Sequence, residues 1–428
     1  MTPDSSSASF TSNYLAREKR VNDAFALKKP DRVPVVPLII HFYPNRVMGI
    51  SNKEAMYDFA KAHAARKEVT IRHNWDGTTA GELFPGKILE LLGDKQLAWP
   101  GGTLADHLPF QFVEGEYMKQ DEYDEMLANP NVFALTKLLP QVSTTLVPLL
   151  GLAQTLKMVP LITQINGQGL PFLTGMLCSQ PPVIDALEKL LAIGKEFEKI
   201  MHANRSYTQE MAQLGFPLLW SAVTYCAYDM VSDYLRGMKG SMLDMYRAPN
   251  KLLKAVEAII PLTIQSSITQ AHMSGNKRVF IPLHRGAGGF MNDMQFEKFY
   301  WPGLKALLLG LVNAGLTPIP FFEGNYTPRL KYLKELPPGK VVGKFDIMDR
   351  KLFKKELADV MCFWGNVPSS MLCTGTPEQV KTDVKELIDL FKDTGGLIID
   401  ATNGLPDEAR PENVQAMTDA VMENGIYN

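Results

Sequence analysis

A chain of 428 residues with 46% hydrophobic content can bury a large core, as one large domain or two ordinary ones. Its formal net charge of −2 offers no basic field for nucleic acid or anionic lipid, which argues against polyanion binding. Four cysteines, Cys178, Cys226, Cys362 and Cys373, form no Cys-x-x-Cys pair and are few for a disulfide scaffold, so a reducing cytoplasm is the expected setting.

Residues 1–15 have neither the basic nor the apolar segment of a signal peptide and read as a disordered lead-in, with a single domain expected over 16–428. A helical pattern runs from Ala16 to Leu27, and RVPVVPLII reads as a first buried strand ending at His41. Residues 53–72 suit a helix, followed by a less certain strand near Trp75. The Gly-rich and acidic text from Gly93 to Asn131 reads as a cap or insertion. Between Lys137 and Lys157 lies an uncharged stretch whose two prolines and several Gln, Ser and Thr make a poor membrane span. It is expected to be a buried helix or loop.

Apolar runs then alternate with helical patterns at the spacing of βα units. The expected strands end at Asn166, near Tyr225, and at His284, Glu323, Asp346, Gly365-Asn366 and Asp400. Helices are expected over 182–204, 250–273, 293–313, 377–392 and 411–422. With the strands nearer the start, this is the strand count of a (β/α)8 TIM barrel, α/β in class, with an elaborated N-terminal region. No repeat or biased linker divides it.

The P-loop, HExxH and GxSxG patterns are absent, and GAGG at 286–289 lacks dinucleotide spacing. GAGG reads either as a close approach of backbone to a ligand or another chain, or as a plain turn. What stands out is a ring of polar residues at strand ends: His41, Asn166, Tyr225, His284, Glu323, Asp346 and Asp400, with Asn403 beyond. Each alone is more often a satisfied structural residue. Together, on successive parallel strands, they converge on one mouth, with His284 and Glu323 the leading catalytic candidates. Phe42, Tyr43, Phe290, Phe322 and Tyr326 could enclose an apolar ring there, although core packing is the commoner use of such side chains. Arg285 suits either a substrate carboxylate or a structural salt bridge.

The segments REKRVNDAFALKKPDRVPVVP, DYLRGMKGSMLDMYRAP, HRGAGGFMNDMQFEKFYWPGLKALL, FFEGN, CFWGNVPSSMLCTGTPEQV and GGLIIDATNGLPDEARPENVQAM together resemble the uroporphyrinogen decarboxylase superfamily, and within it the corrinoid-dependent methyltransferases. That resemblance implies a barrel with its site at the carboxyl-end mouth. The decarboxylases carry an Arg-rich segment after the first strand, where HFYPNRVMG offers only Arg46. Members that methylate a thiol hold zinc through His-x-Cys and a distant Cys, positions read here as Phe321-Phe322-Glu323 and Asn403. The resemblance therefore favours the demethylating members. It implies that a small methylated donor, foremost a methoxylated aromatic, gives its methyl group to the cobalamin of a separate corrinoid protein docking at the mouth. Zinc held by His284, Glu323 and Asp346 is implied as an option beside direct hydrogen bonding without metal. His41, Tyr43, Asn166, Tyr225, Arg285, Asp346 and Asn403 are the expected substrate-binding residues. Transfer from a methylcorrinoid to a thiol or folate, a decarboxylating lyase and a non-catalytic tetrapyrrole-binding barrel stand as rivals. A homo-oligomer is compatible, and no nucleic-acid or membrane partner is expected.

Overall fold

The computed structural model describes residues 11–39, 42–79 and 84–427, so His41 lies outside the described residues. Six parallel strands pair in chain order: Ala222–Val223, Arg278–Leu283, Thr317–Asn325, Val342–Ile347, Cys362–Trp364 and Leu397–Ile398. Two shorter segments complete the circle. Val35 bridges Ile399, the Asp76 amide donates to the Val35 carbonyl at 2.9 Å, and Thr78 bridges Leu218, all in parallel sense or between neighbouring segments. Backbone hydrogen bonds among the described residues thus run around eight staves, as in a TIM barrel.

Strand alternation sorts the side chains into two layers. Val279, Ile281, Leu283, Phe322, Phe345 and Phe363 join the layer between strands and helices, where Phe322 stacks on Phe345 at 4.8 Å between ring centres. Their neighbours Phe280, Phe321, Val342, Trp364 and Ile398 fill the lumen with Val36, Leu38 and Trp220, so the barrel is packed rather than hollow. Period two then dictates that His284, Glu323 and Asp346 stand on the lumenal face above Phe280, Phe321 and Lys344.

Lys344 and Asp400 form a fully buried pair at 3.0 Å within this lumen. Asp400 also accepts from the amides of Leu38 at 3.0 Å and Ala401 at 2.6 Å, and Lys344 donates to the Ala401 and Thr402 carbonyls at 2.5 and 2.9 Å. Burial pushes the lysine down and the carboxyl up, each opposed by the other's charge. Asp400, expected in the mouth ring, is instead a strut joining three staves. Its backbone and lysine partners consume the carboxylate.

The N-terminal helix, Ser12–Phe25, begins where a Thr11 side chain caps the Tyr14 amide, which corrects the lead-in boundary expected at residue 15. Arg20 and Arg32 grip the buried Asp76 at 2.6 and 2.7 Å, fixing this helix and the first stave to the second. The predicted helix over 53–72 is two, Asn52–Tyr57 and Phe59–Arg72, with the second capped by Asp58. Helix Pro249–Ser274 is long and apolar enough by length and composition to cross a membrane. Leu252, Ala255, Val256, Thr263, Ser267 and Ala271 nevertheless make the spaced stripe of a barrel helix.

Residues 84–180 follow the second stave and so belong to the mouth side. They contain Val147–Met158 and Gly169–Cys178, then lead into the 33-residue helix Pro181–Gln213, about 50 Å long at 1.5 Å per residue. Its last turns return to the barrel, where the Tyr207 hydroxyl meets Thr78 Oγ1 at 2.6 Å. The stretch between residues 137 and 157 is helix and turn, mostly half-buried rather than buried, and no strand ends at Asn166. Asn166 is exposed, its Oδ1 accepting from the amides of Gln168 and Gly169 at 3.0 and 2.7 Å to open the next helix. The apolar run before it misled because hydrophobicity alone does not separate a buried strand from an exposed helix.

Candidate functional site

Strand register brings the two leading candidates together. Leu283 pairs with Phe322, so the next residues, His284 and Glu323, are lumenal neighbours on adjacent strands. His284 Nε2 lies 3.8 Å from Glu323 Oε1, too long for a direct hydrogen bond. A substrate oxygen about 2.8 Å from both would fit at the apex of that triangle.

The imidazole is held from behind, its Nδ1 2.5 Å from Asp233 Oδ2. Asp233 also receives Arg285 Nη2 at 2.9 Å, a charge contact, while Arg285 Nε donates to Ser232 Oγ at 3.1 Å and the guanidinium lies over Phe290. Asp229, fully buried, accepts from the amides of His284 and Arg285, both at 3.1 Å, and from the Tyr300 hydroxyl at 2.7 Å. It clamps the backbone as the chain leaves the strand. Gly286 is required by this packing, since a Cβ there would stand 2.3 Å from the Tyr326 hydroxyl oxygen and 2.6 Å from the Tyr300 ring. The glycine thus serves a close approach to the chain's own tyrosines. Gly324, at φ +80°, sits where the register of the Thr317–Asn325 strand shifts against its neighbour.

Burial is the strongest influence on Glu323 and pushes its carboxyl up to about 7. The charges of Asp229, Asp346 and Asp233 add to that, and His284 opposes it. For His284 burial alone would favour the neutral ring. The Asp233 hydrogen bond and the charges of Asp229, Glu323 and Asp233 outweigh it and lift the imidazole to about 9. Burial likewise lifts Asp229 to about 6, against the pull of His284. Near neutrality the site therefore holds an imidazolium beside a carboxyl that is partly protonated, an arrangement suited to giving a proton.

Other expected site residues divide. Tyr225 is at the site, its ring edge-on to His284 at 6.3 Å. Asp346 is in the mouth layer, but its Oδ2 accepts from the Gly324 amide at 3.0 Å. Among the described residues no three His, Cys, Asp or Glu side chains come together as a metal cluster. Asn403 is exposed on the turn after the last strand. Tyr43 is buried in the outer layer with Val33, Val69 and Trp75, because its helix turns that face toward Phe59–Arg72. Phe42, Phe322 and Tyr326 are buried too, leaving Phe290, beneath Arg285, as the mouth aromatic of that group. Asp229 and Asp233 escaped sequence reading. Their signal was two carboxylates four apart on the helix Ala227–Tyr234, directly after a stave.

A groove of about 620 Å³ lies elsewhere, between Glu114–Gln120 and Arg236–Arg247, where Arg236 is bound by Asp244 and Glu116. A smaller one of about 270 Å³ lies against Arg17, Arg20 and Arg32. The His284–Glu323 pair is in neither.

The profile of the family described as uroporphyrinogen decarboxylase matches residues 153–424, which covers all the staves from Ala222 onward. The chain belongs to that family. Its fold is shared with a solved structure described as a methyltransferase from Methanosarcina mazei, at a TM-score of 0.60 over 95% of this chain and 98% of that one, with 14% sequence identity. A search among curated proteins returns no match.

Proposed function

We propose that this chain is a cytoplasmic methyltransferase that takes a methyl group from a small methylated donor, foremost a methoxylated aromatic, and delivers it to a separate corrinoid protein. The observation that carries the reading is the lumenal pair itself. Glu323, with its carboxyl lifted to about 7, and His284 face one gap from adjacent strands at a barrel mouth.

Demethylating an aryl ether is slow because the leaving group is a phenolate, whose conjugate acid has a pKa of about 10. A reduced corrinoid would supply the nucleophile for the methyl carbon, and the carbon–oxygen electron pair would stay on oxygen. Protonated Glu323 gives that oxygen its proton, and the His284 imidazolium, held by Asp233, stabilises the charge developing there. Asp229 fixes the turn that aims His284. The stoichiometry is one methyl ether, one reduced acceptor and one proton consumed, one phenol and one methylated acceptor formed.

A porphyrinogen decarboxylase handles a tetracarboxylate, for which this mouth is poorly built. Arg46 is exposed and donates to the Asp407 carbonyl at 3.0 Å, while Asp229, Asp233, Glu323 and Asp346 crowd the lumen. A docked carrier is supported by exposed apolar side chains on the mouth side, among them Ile162 at 87% and Phe172 at 76% exposure.

Purified chain, reduced corrinoid protein and a panel of methyl ethers, methylamines and methyl thioethers provide the test. The expected result is the methylcobalt absorption spectrum with an ether, dependent on Glu323. Silence across the panel would sink the reading.

A further inference from the structure

The charge distribution around the pair narrows the donor. We propose that the site takes an uncharged methyl ether, a methoxyphenol or anisole type, and rejects its carboxylated counterparts. This rests on the methyl-transfer reading of the same lumen.

Three cations in or beside the lumen, His284, Arg285 and Lys344, each already have a carboxylate partner. His284 is bound through Nδ1 to Asp233 at 2.5 Å. Arg285 contacts the same carboxylate at 2.9 Å, donates to Ser232, and lies over Phe290. Lys344 is buried against Asp400 at 3.0 Å and spends further protons on the Ala401 and Thr402 carbonyls.

On the other side of the balance, Asp346 accepts from the Gly324 amide and stands above Lys344, a cation whose ion pair is with Asp400. Glu323 is raised partly by the neighbouring carboxylates, so the local field already disfavours one more negative charge. A substrate carboxylate entering here would lose its water and meet Glu323 and Asp346, with His284 and Arg285 already engaged by Asp233 and Lys344 by Asp400. A hydroxyl or a bare ring carries no such penalty, and Tyr225, edge-on to His284, presents an aromatic surface to it.

The discriminating experiment measures binding, not turnover, so that it stands apart from the methyl-transfer assay. The full chain is titrated with 4-methoxyphenol and with 4-methoxybenzoate at pH 7 and low salt. The phenol is expected to bind at least about tenfold more tightly. In Asp346→Asn the gap is expected to narrow by a few fold, because one of the repelling charges is gone. Equal or tighter binding of the benzoate overturns the inference, as does a gap unmoved by Asp346→Asn, and as does binding of neither probe. Methyl transfer from a methoxybenzoate in preference to the phenol would overturn it while leaving the proposed reaction standing.

Discussion

Two regions on the mouth side of this chain are built on opposite terms. The strand ends around His284 and Glu323 hold half-buried charge, each group oriented by a named partner: Asp233 behind the imidazole, Asp229 under the backbone, Asp346 on the Gly324 amide. The helices over 147–178, continued by the exposed apolar face of Pro181–Gln213, are the reverse. Lys157 is the only charged side chain between Leu138 and Ile184, and Met158, Phe172 and Leu191 lie exposed without a covering layer among the described residues. The first region is organised for chemistry within the chain and the second for contact outside it. The difference is in where each side chain finds its partner.

The contrast can be broken most sharply at Glu323. Glu323→Gln keeps the shape and removes the titratable proton, so single-turnover methyl transfer should fall by about 10²–10⁴-fold with the unfolding temperature nearly unchanged. A full rate in that variant would mean that the pair is not the acid.

Next in size is Asp400→Ala, which leaves the Lys344 charge buried without its partner. Urea unfolding should register a loss of about 3–5 kcal/mol. Phe172→Ser in the exposed region should change stability by no more than about 0.5 kcal/mol, and a large loss there would erase the distinction between the two regions.

The pH profile follows from the same lumen. The folded carboxyl of Glu323 is raised to about 7 and the protonated form is the donor, so the rate should be full below that value and fall about tenfold per unit above it. Glu323→Gln should flatten that limb. Asp233→Asn should lower the pH at which the His284 ring titrates by NMR, since the hydrogen bond that lifts it is weakened.

Smallest is the effect expected on docking. Replacing Phe172 and Leu191 by serine should raise the apparent KM for the corrinoid protein by about tenfold while leaving the pH profile in place. An unchanged KM would move the docking surface off these helices.

Much of the barrel was legible from residue pattern, because apolar runs of strand length between capped helices have few other solutions. Runs such as RVFIPL and KVVGKF lie on the observed strands Arg278–Leu283 and Val342–Ile347, and the helix Pro377–Phe391 starts directly after Thr376, its capping residue. His284 and Glu323 could be proposed because each follows its strand's last apolar residues. Asn166, Tyr43 and Asp400 misled for separate reasons. Asn166 opens a helix in an exposed region, Tyr43 lies on the wrong face of a short helix, and Asp400 is consumed by a lysine 56 positions away.

What the sequence determined by itself was the alternation along each strand, and with it the fact that His284 and Glu323 share the lumenal face, since period two is a local property of the backbone. What only the tertiary structure decided was which charges surround them. Asp229 and Asp233 arrive from a helix more than fifty residues earlier, and burial in that company lifts Glu323 to about 7 and His284 to about 9. Electrostatic work depends on distance through space, and the order of residues along the chain does not contain that distance.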